Sequence, residues 1–153
     1  MDNYYIQLIF QLGLAVVLGA VIGLEREKKG KEAGFQTYSL VTLGSCLFTI
    51  VSFELFGLVS GQAGLPAGQA GISFDPSRVI QAIAIGIGFI GGGVIIYNQF
   101  HLEGVTTAAG LWCASAIGIA VGAKLYFLAL TTVVLAAIIL AVFGLVERKI
   151  FNK

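Results

Sequence analysis

The sequence is poor in charged residues, which make up 11% of its 153 residues. A soluble globular domain carries roughly 25%. So few charges do not cover a water-exposed surface, while 58% of the residues are hydrophobic and the mean hydropathy is +0.95. The composition excludes an ordinary soluble domain and indicates a membrane protein whose main partner is the lipid bilayer.

Residues that commonly carry chemistry are also scarce. The two cysteines, Cys46 and Cys113, lie inside apolar runs and form no spaced disulfide framework. There is one histidine, and no serine has an evident base beside it, so we expect a protein that is not an enzyme. The net charge of +1 lacks the basic face that nucleic acid requires, so we expect no nucleic acid partner.

Five apolar segments of about 18–23 residues are present, each long enough to cross a hydrocarbon core of about 30 Å as a helix. The predicted helices are residues 5–24, 37–59, 79–97, 106–123 and 125–146. Residues 60–74 contain GQAG twice, which is typical of a flexible linker. The sequence therefore predicts an all-α membrane protein, with residues 1–153 as a single compact bundle of five helices.

The basic residues predict the orientation of this bundle. Seven of the nine fall on one side of the five-span topology and two on the other. The seven are Arg26, Lys28, Lys29, Lys31, Arg148, Lys149 and Lys153, and the two are Arg78 and Lys124. The positive-inside rule places the N-terminus outside and the C-terminus in the cytoplasm.

A glycine cluster, GIGFIGGG at residues 86–93, matches the spacing G-x-G-x-x-G of a dinucleotide-binding turn. That turn needs a preceding strand and a helix that begins within it, whereas an unbroken apolar run surrounds this cluster. Close packing of a membrane helix explains the cluster better, because small residues four apart let helices approach. The alternative is that residues 91–93 interrupt the helix and expose carbonyl groups to an ion. The glycines concerned are Gly86, Gly88, Gly91, Gly92 and Gly93.

Small residues recur at this spacing in two other segments. They are Ala15, Gly19 and Gly23 in the first, and Gly110, Ala114, Gly118 and Gly122 in the fourth. The surplus of flat helix faces suggests a homo-oligomer, for which we take a dimer as the working hypothesis.

Charged residues gather at the ends of the segments. Asp75 precedes Pro76 at the start of the third segment, an arrangement typical of a helix N-cap. Arg78 lies in the first turn and opposes the helix dipole, so we expect Asp75 or Glu54 to pair with it. This pair is either structural or part of a ligand or ion site.

The block Glu25-Arg26-Glu27-Lys28-Lys29 closes the first segment. One interpretation is a solvated helix end with i,i+4 pairs, and the other is a functional cluster. Thr106 and Thr107 are placed to cap the fourth segment, and Trp112 lies about one and a half turns inside it.

Three blocks taken together resemble the MgtC/SapB family of bacterial inner-membrane proteins. They are GLEREKKGKEAGFQTYSLVTLGSCLF at residues 23–48, DPSRVIQAIAIGIGFIGGGVII at residues 75–96 and GVTTAAGLWCASAIGIAVG at residues 104–122. The resemblance implies a multi-pass protein of the bacterial inner membrane, with a role in adaptation to low magnesium and, in pathogens, in survival inside host cells. The positions that match the family's motifs are Glu25, Arg26, Asp75, Arg78, Thr106, Thr107 and Trp112.

The resemblance also implies a link to a larger membrane complex, since some members have been linked to restraint of the F-type ATP synthase. Many members carry a soluble domain after the last helix, whereas this sequence stops at Lys153, so we expect no regulation through such a domain. The turn before GVTTAA is commonly basic in the family but reads FHLEG here, which leaves its role open.

Two functional hypotheses follow. The first is a non-enzymatic regulator of magnesium homeostasis or stress adaptation that acts through helix–helix contacts with itself or with a membrane complex. The alternative is a small ion transporter or conduit, for magnesium or coupled to protons. No resident cofactor is expected, and any bound magnesium ion would have Asp75, Glu54 and Glu25 as its candidate ligands.

Overall fold

The computed structural model describes residues 2–62, 75, 77–98 and 101–144, most of which are helical. The helices are α1 Asp2–Lys28, α2 Phe35–Gln62, α3 Ser77–Val94, α4 Val105–Gly122 and α5 Tyr126–Ile138. A π-helical turn, Ile139–Phe143, continues α5. The first four helices are long and apolar enough to cross a membrane, whereas the last apolar helix, Tyr126–Val142, is shorter.

The predicted segments and the observed helices agree in number and order. The largest difference is at the end of α5, which changes to a π-helical turn after Ile138, and α1 and α2 extend beyond the apolar runs at both ends. Most of the predicted linker, residues 63–74, lies outside the described residues, as does Pro76. Helices persist past the apolar runs because polar residues at a helix end reach the headgroup region and water.

The prediction that the third segment stays helical to Tyr97 is wrong. The helix α3 ends at Val94, and a short antiparallel hairpin follows, formed by β1 Ile96–Asn98 and β2 His101–Glu103. Ile96 pairs with Glu103 and Tyr97 with Leu102. The hairpin satisfies backbone groups locally, and the adjoining Gly104 begins α4 from a left-handed conformation with φ of 84°.

The core lies where α1, α2 and α4 meet, and α4 is the central helix. It packs extensively against α2 and α3, and also contacts α1 and α5. The fully buried side chains of the core include Ala15, Ile22, Tyr38, Leu111 and Ile117. In contrast, α3 packs mainly on α4 and makes few contacts with α2.

Glycines in α1 and α4 lie directly against the backbone of α2. A Cβ atom at Gly19 would lie 2.6 Å from the carbonyl oxygen of Tyr38, and one at Gly122 would lie 2.7 Å from that of Cys46. Real Cβ atoms do not approach so closely, so these positions need glycine for the helices to touch. Lipid chains are as apolar as the helix side chains, so no hydrophobic effect drives the helices together. The close contact of the backbones stabilises the bundle through dispersion instead.

The glycine cluster of α3 has a different environment. The helix is continuous through Gly93, so the alternative of an interrupted helix is not observed. A Cβ atom at Gly91 would lie 3.4 Å from that of Ala108 in α4, which is an ordinary contact. Among the described residues, no atom of another element lies within 4 Å of a Cβ atom built at the other four, Gly86, Gly88, Gly92 and Gly93. These glycines therefore leave an open face on α3.

We predict that Gly118→Ala destabilises the bundle. The added methyl group would lie 2.9 Å from the Cβ atom of Ser45, and overpacking of this kind costs about 1–3 kcal/mol. The free energy of unfolding, measured in mixed detergent micelles, should fall accordingly. The matched control is Gly86→Ala, which faces open space and should leave stability unchanged or raise it by up to about 1 kcal/mol. Equal effects of the two substitutions would contradict the packing described here.

Candidate functional site

A buried polar network lies where the end of α1 meets the start of α4. Its centre is Arg26, a basic residue in the last turn of α1 that is only 3% exposed. The Arg26 Nη2 atom donates a hydrogen bond to the hydroxyl oxygen of Thr107, at 2.9 Å. Thr107 lies in the first turn of α4 and is 1% exposed. A guanidinium group stays charged when it is buried, so this contact compensates part of its lost hydration.

The Thr107 hydroxyl connects the guanidinium group to a carboxylate. It donates a hydrogen bond to Glu32 Oε2 at 2.7 Å, so one hydroxyl accepts from a cation and donates to an anion. The Tyr38 hydroxyl donates to the backbone carbonyl of the same threonine, at 3.3 Å. Three helices and the α1–α2 loop thereby meet at one residue. We call Arg26, Glu32, Tyr38 and Thr107 the Arg26 network.

Hydrogen bonding favours the charged form of Glu32 in this network. A backbone N–H of the residue itself, the Thr107 hydroxyl and the nearby basic charges lower the pKa of its carboxyl group below the ordinary value of 4.5. The side chain is exposed, so burial opposes this shift only weakly.

The neighbouring residues of α1 attach the same end to α5 and α2. Glu25 forms an ion pair with Lys29, and the Lys29 ammonium group donates to the carbonyl oxygen of Leu140 at 2.7 Å. The Glu27 carboxylate accepts the backbone N–H of Phe35 at 2.7 Å, which places an anion at the N-terminus of α2. The i,i+4 pair of Glu25 with Lys29, which the sequence predicts at this helix end, is therefore observed. Among the described residues, Glu27 forms no such pair and caps α2 instead.

Some polar atoms of this cluster have no hydrogen-bond partner in the described part of the chain. They are the Nε atom of Arg26 and the Oε2 atom of Glu25, both of which are buried, whereas the Oε1 atom of Glu25 faces the Lys29 ammonium group in the ion pair. Groups of this kind are normally paired, so the end of α1 holds unused donor and acceptor capacity.

At the opposite end of the bundle, the prediction that Arg78 pairs with Asp75 or Glu54 is wrong. Over residues 2–62, 75, 77–98 and 101–144, neither carboxylate lies within 4.0 Å of Arg78. Asp75 instead accepts the backbone N–H of Ser77 at 2.9 Å and thereby caps α3, as the sequence predicts. Bonding to the side chain and backbone of Ser77 lowers the pKa of Asp75 below its ordinary value, and the charge of Arg78 adds a smaller lowering without forming an ion pair.

Glu54 lies near the N-terminus of α1, where it lines a cavity together with Tyr4 and Lys124. The three candidate magnesium ligands are therefore divided between the two ends of the bundle, with Glu25 at one and Asp75 and Glu54 at the other. In the portion of the chain that is described, no three His, Cys, Asp or Glu residues are grouped so as to hold a metal ion.

The two threonines at the start of α4 do not cap it. Gly104 occupies the N-cap position and no side chain caps the helix. The Thr107 side chain points into the Arg26 network instead, because its hydroxyl accepts a hydrogen bond from Arg26, which lies 81 residues away in the sequence. Thr106 is exposed, and Trp112 is 56% exposed on the outer side of α4.

Sequence reasoning missed three residues that the structure brings into polar sites. Glu32 and Tyr38 complete the Arg26 network, and Gln11 is a fully buried amide inside α1. A polar side chain inside an apolar span is rare and usually has a partner, so Gln11 could have been found from the sequence. The other two have no comparable local signal.

An apolar groove runs along the bundle between α2 and α3. Its volume is about 720 Å³, and its lining includes Leu40, Gly44, Phe48, Gly86 and Ile90. The groove exists because α3 packs against α4 and makes few contacts with α2. It is continuous with the open glycine face of α3, since Gly86 belongs to both.

Comparison with known proteins identifies the family. The sequence model of the MgtC family matches residues 12–149, which is most of the chain. The chain belongs to the MgtC family. The resemblance seen in the three sequence blocks is thereby confirmed, and with the apolar helices it supports a multi-pass membrane protein. No solved structure matches the chain.

Several curated relatives of this MgtC-family chain are similar over most of its length. "Putative magnesium transporter YhiD" of Escherichia coli (strain K12) is 37% identical over 147 residues, which cover 96% of this chain and 65% of the relative. "Protein SapB" of Bacillus subtilis (strain 168) is 36% identical over 151 residues, covering 97% and 62%. "Protein MgtC" of Brucella abortus (strain 2308) is 39% identical over 111 residues, covering 72% and 40%. The chain thus spans less than two thirds of the length of each.

We predict that Thr107→Val destabilises this MgtC-family bundle by about 1–3 kcal/mol, because it leaves the buried Arg26 guanidinium without its acceptor. Valine keeps the shape of threonine and removes only the hydroxyl. Thr107→Ser should restore most of the loss, and the exposed neighbour in Thr106→Val should change little. Unfolding in mixed micelles measures all three, and a neutral Thr107→Val would show that the network contributes nothing.

A second prediction concerns acid. Because folding lowers the pKa of Glu32, its stabilising contribution is complete above the ordinary value of 4.5 and is lost as the pH falls through the folded value. The difference in stability between wild type and Glu32→Gln should therefore shrink from about pH 6 to about pH 3. We expect a small effect, since the side chain is exposed and screened. A difference independent of pH would contradict the assignment.

Proposed function

We propose that this MgtC-family protein is a non-enzymatic regulator in magnesium homeostasis or low-magnesium adaptation in the bacterial inner membrane. It acts through contacts of its membrane helices with a second copy of itself or with a larger membrane complex. Its N-terminus lies outside and its C-terminus in the cytoplasm, which follows the distribution of basic residues. The F-type ATP synthase is a candidate for the complex through the family resemblance alone.

The observation that carries this proposal is the open face of α3, which no described residue covers. Phe89 is 86% exposed, and Gly88 and Gly92 beside it have open space where a side chain would lie. Gly19 and Gly23 of α1 and the glycines of α4 pack tightly, whereas all the α3 glycines except Gly91 remain open, although all three helices have the same spacing of small residues. A second helix seated on α3 would bring its backbone close to these glycines.

The groove between α2 and α3 supports the same proposal. Its lining is almost entirely apolar, and Gly44 and Gly86 leave open space on opposite walls. Helices associate in lipid through such close, complementary surfaces, because lipid chains supply no hydrophobic force between them. Lipid alone would fill the groove less specifically than a side chain such as leucine from a partner helix.

The second candidate is an ion conduit, which the half-buried Glu25 favours. Its Oε2 atom lacks a hydrogen-bond partner among the described residues, as the oxygen of an ion ligand would before binding, while its Oε1 atom pairs with Lys29. One E. coli relative is also named a putative magnesium transporter. Against this candidate, magnesium takes six oxygen ligands in octahedral geometry, and a single carboxylate beside Lys29 supplies few of them.

We predict that Gly88→Ile abolishes function in cells without destabilising the purified protein. The test is growth at low magnesium of a bacterial strain that lacks its own MgtC-family genes and expresses the variant. An isoleucine at position 88 would block approach of a partner to α3. The matched control is Gly13→Ile, which makes the same change at an open glycine of a different helix, α1. Gly13→Ile should support growth as wild type does. Full function of Gly88→Ile would contradict the proposed contact face.

Magnesium flux separates the two candidates. Wild-type protein in liposomes that contain a magnesium indicator should give no more influx than protein-free liposomes. Influx that is lost on Glu25→Gln but retained on Glu103→Gln, an exposed carboxylate in β2, would replace the regulatory proposal with the conduit.

A further inference from the structure

A polar cavity lies at the opposite end of the bundle from the Arg26 network. Its volume is about 260 Å³, and α1, α2 and the α4–α5 turn form its walls. The polar residues of its lining are Tyr4, Gln7, Gln11, Glu54 and Lys124. We call it the Gln11 cavity. The proposed function makes no use of it.

The Gln11 side chain fixes the chemistry of this cavity. It is completely buried, and its Nε2 atom donates to the backbone carbonyls of Val121 at 3.0 Å and Gly122 at 3.2 Å. These two contacts determine the orientation of the amide, because the reverse would set its oxygen against two carbonyl oxygens.

The amide oxygen of Gln11 is consequently an unused acceptor. It is buried and has no hydrogen-bond partner in the described part of the protein. Buried acceptors are nearly always paired, so this atom indicates a further donor, which a ligand that enters the cavity can supply. The donor must be an N–H or O–H group small enough to reach into the bundle.

Two opposite charges line the same cavity. The Glu54 carboxylate and the Tyr4 hydroxyl line it together. Lys124 lies on the α4–α5 turn with φ of 63°, a left-handed conformation that non-glycine residues rarely adopt. Backbone bonds from Lys124 to Val121 and from Leu125 to Ala120 hold that turn in place.

Glu54 and Lys124 do not neutralise each other. Between residues 2 and 144, as far as these are described, the single ion pair within 4.0 Å joins Lys29 to Glu25. The cavity therefore presents one negative and one positive group, with a net charge of zero. A bare cation or a bare anion would meet a like charge on entry, whereas a zwitterion would match both groups.

We propose that the Gln11 cavity binds a small zwitterion that carries a primary ammonium group and an anionic group. The ammonium group lies between the Gln11 amide oxygen and the Glu54 carboxylate, beside the Tyr4 and Phe53 rings. The anionic group pairs with Lys124. Phosphoethanolamine has this chemistry, either as the headgroup of phosphatidylethanolamine or as a free solute.

The same lining discriminates against other ligands. A trimethylated ammonium group keeps its charge but has no N–H to donate to Gln11, so phosphocholine should bind poorly. A divalent ion requires more oxygen ligands than the carboxylate and the amides of Gln7 and Gln11 provide, and it would be repelled by Lys124.

The test uses the full chain, purified in a detergent that strips bound lipid. Its thermal unfolding midpoint is titrated with soluble phosphoethanolamine and, separately, with phosphocholine. In a second arm, native mass spectrometry compares retention of phosphatidylethanolamine and phosphatidylcholine from mixed micelles. We expect the ethanolamine compound to be preferred at least tenfold over the choline compound in one of the two arms.

Substitutions then locate the site. Glu54→Gln and Lys124→Gln should each weaken the preferred ligand at least tenfold. The same changes at exposed residues of the opposite end, Glu103→Gln and Lys28→Gln, should leave binding unchanged.

The two arms distinguish the source of the ligand. A saturable midpoint shift with the soluble compound supports a free zwitterion, and retention of the lipid without such a shift supports a headgroup. Absence of an ethanolamine preference in both arms would overturn the proposal. Preference that survives both Glu54→Gln and Lys124→Gln would also overturn it, since the ligand would then lie elsewhere.

Discussion

The burial of the Arg26 guanidinium is the constraint on which the bundle depends. A buried guanidinium group loses its hydration, so a position that is 3% exposed is tolerable only where an acceptor is held in place. The hydroxyl of Thr107 supplies that acceptor, and Glu32 supplies the countercharge behind it. The first turn of α4 is thereby fixed against the last turn of α1, and α4 in turn contacts every other helix.

Two kinds of glycine serve two kinds of surface in this fold. Gly19 and Gly23 of α1 and Gly118 and Gly122 of α4 bring backbones into contact inside the bundle, where the neighbouring atoms leave no space for a methyl group. Those of α3 leave a surface open toward the bilayer. One helix is thus excluded from the tight core of α1, α2 and α4, and it leaves a groove beside it. The interior is specified by close packing, and α3 remains available for contact outside the chain.

Hydropathy predicts the helices well because a membrane span must be both apolar and about 20 residues long. The family is also predictable, since motif blocks keep their order and spacing, and the match over residues 12–149 confirms it. The hairpin after α3 could not be predicted, because its six strand residues lie in a stretch short enough to pass for a helix end and a turn. The role of Thr107 could not be predicted either. A threonine in the first turn of a helix has the sequence pattern of a capping residue, and only the structure shows that its partner is the distant Arg26.

The α3 glycines show a second limit of prediction from the sequence. Their spacing matches that of the packed glycines in α4, and spacing alone does not reveal which helices have a neighbour. The charges show the same limit, because Asp75 and Arg78 are three residues apart and yet Asp75 bonds to the backbone of Ser77. Local pattern predicts the helix and its cap, whereas the pairing of side chains depends on the positions of the helices.

The contact between Tyr38 and Gly110 has a consequence for how the family diversifies. The Tyr38 ring reaches across α4 to the carbonyl of Thr107, and a Cβ atom at Gly110 would lie 3.2 Å from its Cζ atom and closer still to its hydroxyl. A side chain at position 110 is therefore compatible with the bundle only if position 38 becomes smaller. We expect these two positions to vary as a coupled pair among homologues, so that their covariation marks the depth at which α2 and α4 cross.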